Sequence, residues 1–78
     1  MIYNRFVYVK DDNTLLRTET TFHPFRTIEQ EEARITKQSL EENEPVETLT
    51  STAAVVIIKT ENKDFITIHI LSKENKGE

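Results

Sequence analysis

The sequence predicts an α+β domain with the element order β-β-α-β-β, in which a four-stranded antiparallel sheet carries one helix packed on one face. Runs of β-branched and aromatic residues occur in two pairs, and a short cluster of turn-forming residues separates the members of each pair. Between the pairs lies one segment with a capping signal and helically spaced apolar residues. We expect residues 1–72 to form this single domain.

The first pair of strands is predicted from residues 2–9 and 14–22. Aromatic and β-branched side chains fill the first run, and the turn formers Lys-Asp-Asp-Asn follow it at residues 10–13. The second run alternates imperfectly and ends before Pro24, because proline lacks the N–H group that a strand ladder needs. These two runs are expected to form a hairpin.

The helix is predicted over residues 28–43. Thr27 marks its start, because Gln30 three residues later completes a capping box, and Pro45 follows its end. Polar residues project into the same arc as the apolar ones, so the apolar stripe is thin and most of the circumference should be exposed. The apolar residues of that arc are Phe25, Ile28, Ala33, Ile35 and Leu40.

The last two strands are predicted from residues 46–60 and 65–71. The unbroken apolar run at residues 53–58 indicates that the second half of the longer strand is buried on both faces. A turn at residues 61–64 and a clear alternation after it predict the second hairpin. Residues 73–78 are polar without a period and are expected to form a disordered tail.

The length and the composition favour self-association. The chain has 78 residues and no cysteine, so no disulfide can supplement its small core, and a homo-oligomer is the commonest remaining way to add burial. We expect a dimer. No segment approaches the roughly 18 apolar residues of a membrane span, and the N-terminus lacks the features of a secretion signal. A soluble, cytoplasmic protein without a membrane partner is predicted.

Enzymatic chemistry has little support in the sequence. The single glycine is Gly77, so no glycine-rich phosphate-binding loop can form. The two histidines are His23 and His69, and their spacing from each other and from a carboxylate such as Glu19 selects neither a metal site nor a catalytic set. We therefore assign no catalytic residue, no metal site and no cofactor, and we predict a protein that is not an enzyme.

The negative charge is concentrated in the middle of the chain. The net charge is −4, which disfavours general nucleic-acid binding, whereas residues 27–47 alone hold seven acids and two bases. Most such runs are solvated surfaces, but carboxylates on a rigid scaffold can also dock a basic partner. The partner-binding residues predicted on this basis are Glu29, Glu32, Glu41, Glu42 and Glu44.

The leading functional hypothesis is a small non-catalytic regulator or inhibitor that binds another protein. A composition rich in Glu, Thr, Asn, Lys and Ile is typical of AT-rich bacterial or phage genomes. A phage-encoded inhibitor of a nucleic-acid-handling host system, acting through an acidic helix surface, fits this size and charge.

Two other functions stay open. Several strands carry apolar residues on both faces, so the face away from the helix needs a second cover, and the chain is alternatively a structural subunit of a homo-oligomer. The aromatic first strand, with Tyr3, Phe6 and Tyr8, suggests a binder of small ligands or single-stranded nucleic acid. The residues predicted for an oligomer interface are Val7, Val9, Val55, Ile57 and His69.

Overall fold

The computed structural model describes residues 1–73, so the predicted tail lies, apart from Lys73, outside the described residues. Its elements are β1 (Ile2–Val9), β2 (Leu15–Phe22), α1 (Ile28–Glu41), β3 (Val46–Ser51), β4 (Val55–Glu61) and β5 (Phe65–Ser72). The strands form one antiparallel sheet in the order β2-β1-β5-β4-β3. The helix packs against β3, β4 and β5. The predicted class, an α+β fold with one helix and an antiparallel sheet, is confirmed.

The sheet has five strands, and the prediction of four was wrong. The segment that we expected as one long strand turns back at Thr52. The Thr52 hydroxyl accepts hydrogen bonds from the backbone N–H groups of Ala54 and Val55, at 3.2 and 3.0 Å. The Thr52 N–H donates to the Val55 carbonyl at 2.8 Å. A threonine hydroxyl used in this way stabilises a tight turn instead of a continuous strand, so residues 53 and 54 are exposed.

Both ends of α1 carry the signals that the sequence contains. The Gln30 N–H donates to the Thr27 hydroxyl at 3.1 Å, and the Thr27 N–H donates to the Gln30 side chain at 3.0 Å, which completes the predicted capping box. At the other end Asn43 has a φ of 57°. The Glu44 N–H donates to the Ser39 carbonyl at 2.8 Å, as in a Schellman motif. The helix therefore ends two residues earlier than predicted.

The helix buries two of the five apolar residues of the predicted arc, Ile28 and Ile35, and adds two polar ones. Its buried residues are Ile28, Glu31, Ile35 and Ser39, which lie three or four positions apart on one face. Leu40 is 67% exposed and points away from the sheet. Because only two of the four buried residues are apolar, the apolar contact between α1 and the sheet is narrow.

The two faces of the sheet differ in what covers them. On the helix side, Ile28 and Ile35 of α1 form a core with Val56, Ile58 and Leu71 of the sheet. Burial alternates along β4, so the residues between these core positions point to the other face, which α1 does not cover. We call this surface the open face. By register it carries Ile2, Asn4, Phe6, Tyr8, Val55, Ile57, Lys59, Glu61, Ile66, Ile68 and Ile70, all half-buried.

Across residues 1–73, no helix has both the length and the apolar character that a membrane span requires.

Candidate functional site

A buried glutamate ties α1 to its own N-terminal loop. Glu31 is fully buried, and its carboxylate accepts a hydrogen bond from Arg26 at 2.7 Å and one from the Nε of Arg34 at 3.0 Å. Burial alone would raise the pKa of Glu31, but the hydrogen bonds from the two guanidinium groups outweigh it, and the pKa is lowered. Glu31 is therefore ionised at neutral pH, and its charge is neutralised inside the protein.

A second polar cluster lies on the helix side of the sheet, around His69. The imidazole is 7% exposed. The Tyr3 hydroxyl lies 2.6 Å from Nδ1, and the Thr60 hydroxyl lies 2.8 Å from Nε2. Burial, together with the positive charges of Arg5 and Arg34, lowers the pKa of His69 to about 4. The ring is therefore neutral at pH 7, with one nitrogen donating to a hydroxyl and the other accepting from one.

These two clusters border a small polar pocket of about 170 Å³ between helix and sheet. Its lining includes two acidic residues, Glu42 and Glu44, and two basic ones, Arg5 and Arg34. Both ring nitrogens of His69 are already hydrogen-bonded, so binding a metal or a ligand there would require breaking one of those bonds. No group of three or more potential metal ligands occurs among residues 1–73.

The structure separates the five predicted partner-binding glutamates into two groups. Glu29, Glu32 and Glu41 lie on one exposed side of α1. Glu42 and Glu44 instead line the polar pocket near His69. Ala33, Thr36, Lys37 and Leu40 lie on the same side of the helix. We call these seven residues the acidic flank.

The predicted oligomer-interface residues also lie in two places. Val55 and Ile57 belong to the open face, next to Ile70 of the central strand β5. Val7, Val9 and His69 point to the helix side of the sheet, and Val7 and His69 are buried there within the chain. A single interface cannot contain all five residues, because alternate residues of a strand point to opposite faces.

The aromatic residues of β1 do not share one surface. Tyr3 lies on the helix side, where its ring stacks with those of His69 and His23 at centroid distances of 5.8 and 6.5 Å. Phe6 and Tyr8 lie on the open face. The continuous stacking surface that a single-strand nucleic-acid binder would use is therefore divided between the two faces.

Sequence reasoning missed the buried role of Glu31 and assigned no role to Arg26. One signal was available, since Glu31 and Arg34 have the i, i+3 spacing of a helical ion pair. Glu31 also lies three residues after Ile28 and four before Ile35, on the face that the two isoleucines define. The contact from Arg26 has no such signal, because it depends on the path of the loop before the helix.

Comparisons with protein-family models, with curated proteins and with solved structures find no match to this chain. Over residues 1–73 the chain is a five-stranded α+β domain, and no other described element covers the open face or the acidic flank.

Proposed function

We propose that the chain is a small non-catalytic regulator that binds another protein through the acidic flank of α1. One observation carries the proposal. Leu40, a large apolar residue, is 67% exposed on a side of α1 that also carries Ala33, three glutamates and one lysine. Exposed apolar side chains next to a local excess of negative charge suit the docking of a basic partner.

The chemistry of the flank indicates the chemistry of its partner. Ala33 and Leu40 offer apolar contact, while Glu29, Glu32 and Glu41 attract positive charge. The complementary partner is a protein surface in which an apolar side chain is flanked by lysines or arginines. Basic grooves that bind nucleic acid have this character, so inhibition of a nucleic-acid-handling protein suits the flank.

The helix that carries the acidic flank is also held rigidly in place. The capping box fixes the start of α1, the Schellman motif fixes its end, and Glu31 joins the helix to Arg26 of the preceding loop. A surface held in place before binding loses less conformational entropy when a partner docks, which strengthens the association.

Reversing charges on the flank tests the proposal. We expect the variant Glu29→Lys/Glu41→Lys to bind its partner roughly ten-fold more weakly or worse, because both attractive charges become repulsive. The matched control Asp11→Lys/Asp64→Lys changes the net charge equally at exposed turn residues and should bind like the wild type.

The measurement has two stages. The first stage is affinity capture from host extracts. It identifies proteins that the wild type and the control retain and the flank variant does not. Each is then purified, and its dissociation constant is measured calorimetrically against all three chains. Equal affinities for the flank variant and the control would overturn the proposal, as would a partner whose binding surface is acidic.

A further inference from the structure

The open face is an apolar surface centred on β5. Ile66, Ile68 and Ile70 form its middle column. In register, Ile68 is flanked by Phe6 on β1 and Lys59 on β4. We call each set of cross-strand partners on β1, β5 and β4 a row. The row before that of Ile68 consists of Tyr8, Ile66 and Glu61, and the row after it consists of Asn4, Ile70 and Ile57. Within residues 1–73 no helix or strand packs on this face.

The side of the sheet opposite α1 is at the lower end of what a specific protein interface buries. Five strands spaced about 4.8 Å apart, with about 26 Å of strand length, give this side an area of about 600 Å², and the open face occupies its three middle strands, about 370 Å². A standard protein interface buries about 800 Å² of accessible surface on each partner, a measure that also counts the sides of protruding side chains. The core that α1 forms with the sheet is small, with five buried apolar residues among those described.

We infer that a second copy of this chain covers the open face, and that the two sheets stack about a two-fold axis running along β5. A two-fold arrangement uses the same surface on both copies and closes after two subunits. Stacked sheets of this kind keep their strands within about 30° of each other. The three isoleucines of β5 then pack against their equivalents on the axis.

The two charged residues of the open face meet complementary groups in this arrangement, whereas Asn4, which accepts a hydrogen bond from Thr20 of its own chain, lies opposite Ile57. An axis along β5 places β4 of one copy over β1 of the other at the same row. Glu61, which also pairs with Lys10 of its own chain, then faces the Tyr8 hydroxyl of the second copy, which can donate to its carboxylate. Lys59 lies over the ring of Phe6. An axis crossing the strands at the row of Ile68 would instead bring the two Lys59 side chains together. The charge pattern therefore favours the first arrangement.

The mass of the free protein tests the inference. Sedimentation equilibrium across the micromolar range should give twice the mass of one chain for the wild type. Ile68→Lys places a charge at the centre of the face and should halve that mass. The control Phe25→Lys replaces an apolar residue that is 96% exposed in the loop before α1, and should leave the mass unchanged. A monomeric wild type, or an Ile68→Lys variant that keeps the double mass, would overturn the inference.

A charge rescue tests the axis and does not depend on substitutions in the core. Tyr8→Glu places a carboxylate opposite Glu61 of the second copy and should weaken the dimer at least ten-fold. Adding Glu61→Lys should restore it. Within one chain β5 separates these two residues by about 10 Å, so the restoration must come from across the interface. Circular dichroism confirms that each variant is folded. A double variant that stays as weak as Tyr8→Glu would contradict the axis along β5.

Discussion

Acidification from pH 7 to pH 5 is expected to destabilise the protein by about 2 kcal/mol, and the loss should reach about 3 kcal/mol at pH 4. The cause is His69, whose pKa falls from 6.5 to about 4 on folding. The folded state therefore holds the ring neutral. The stability that the neutral His69 ring contributes is complete above pH 6.5. It disappears as the pH falls towards 4, because the unfolded chain binds the proton at a higher pH than the folded chain does.

The groups around the ring explain the direction of this effect. Burial is the largest cause, and the guanidinium groups of Arg5 and Arg34 add repulsion, while Glu31 acts in the opposite sense. Urea unfolding at a series of pH values measures the slope. His69→Gln should give a flat profile between pH 7 and pH 5. An unchanged slope in His69→Gln would show that another group causes the acid sensitivity.

Removing both guanidinium groups from Glu31 should destabilise the protein by about 3–5 kcal/mol, because an ionised carboxylate is then buried without a partner. The variant is Arg26→Gln/Arg34→Gln. For a chain of this size that loss is comparable to the whole free energy of unfolding. Circular dichroism at neutral pH should show a largely unfolded chain.

Removing the glutamate instead should be much milder. The side chains of Arg26 and Arg34 are 42% and 47% exposed, so they can turn into water when Glu31 is replaced. We expect Glu31→Gln to lose about 1–2 kcal/mol. Urea unfolding of both variants measures which of the two is less stable. A Glu31→Gln variant less stable than the double arginine variant would contradict the explanation from an unpaired buried charge.

The sequence predicted the elements whose signals are local. The capping box at Thr27, the first hairpin and the strand after residue 64 each depend on residues close together in the chain, and the structure contains all three. The turn at Thr52 was missed because the apolar run beyond it resembles a buried strand. Its own signal, a hydroxyl bonding to the backbone two and three residues ahead, is weak in the sequence.

The site was harder to predict, because it depends on which face each strand presents. His69 was assigned to an interface from its alternation with Thr67 and Leu71, but alternation alone does not say which face the helix covers. That choice depends on the five-strand order and on the stripe that α1 buries. Once both are known, His69 lies within the chain, and Val55 and Ile57 remain on the open face.

Site-specific photo-crosslinking in host cells tests most directly the central claim that the acidic flank is the partner-binding surface. A photoreactive residue at Thr36 lies inside the flank, and one at Asp11 lies in the turn between β1 and β2. We predict an adduct at position 36 with a protein that carries a basic surface, and none with that protein at position 11. The absence of an adduct at position 36, an equal yield at both positions, or an adduct only with a second copy of this chain would contradict the claim.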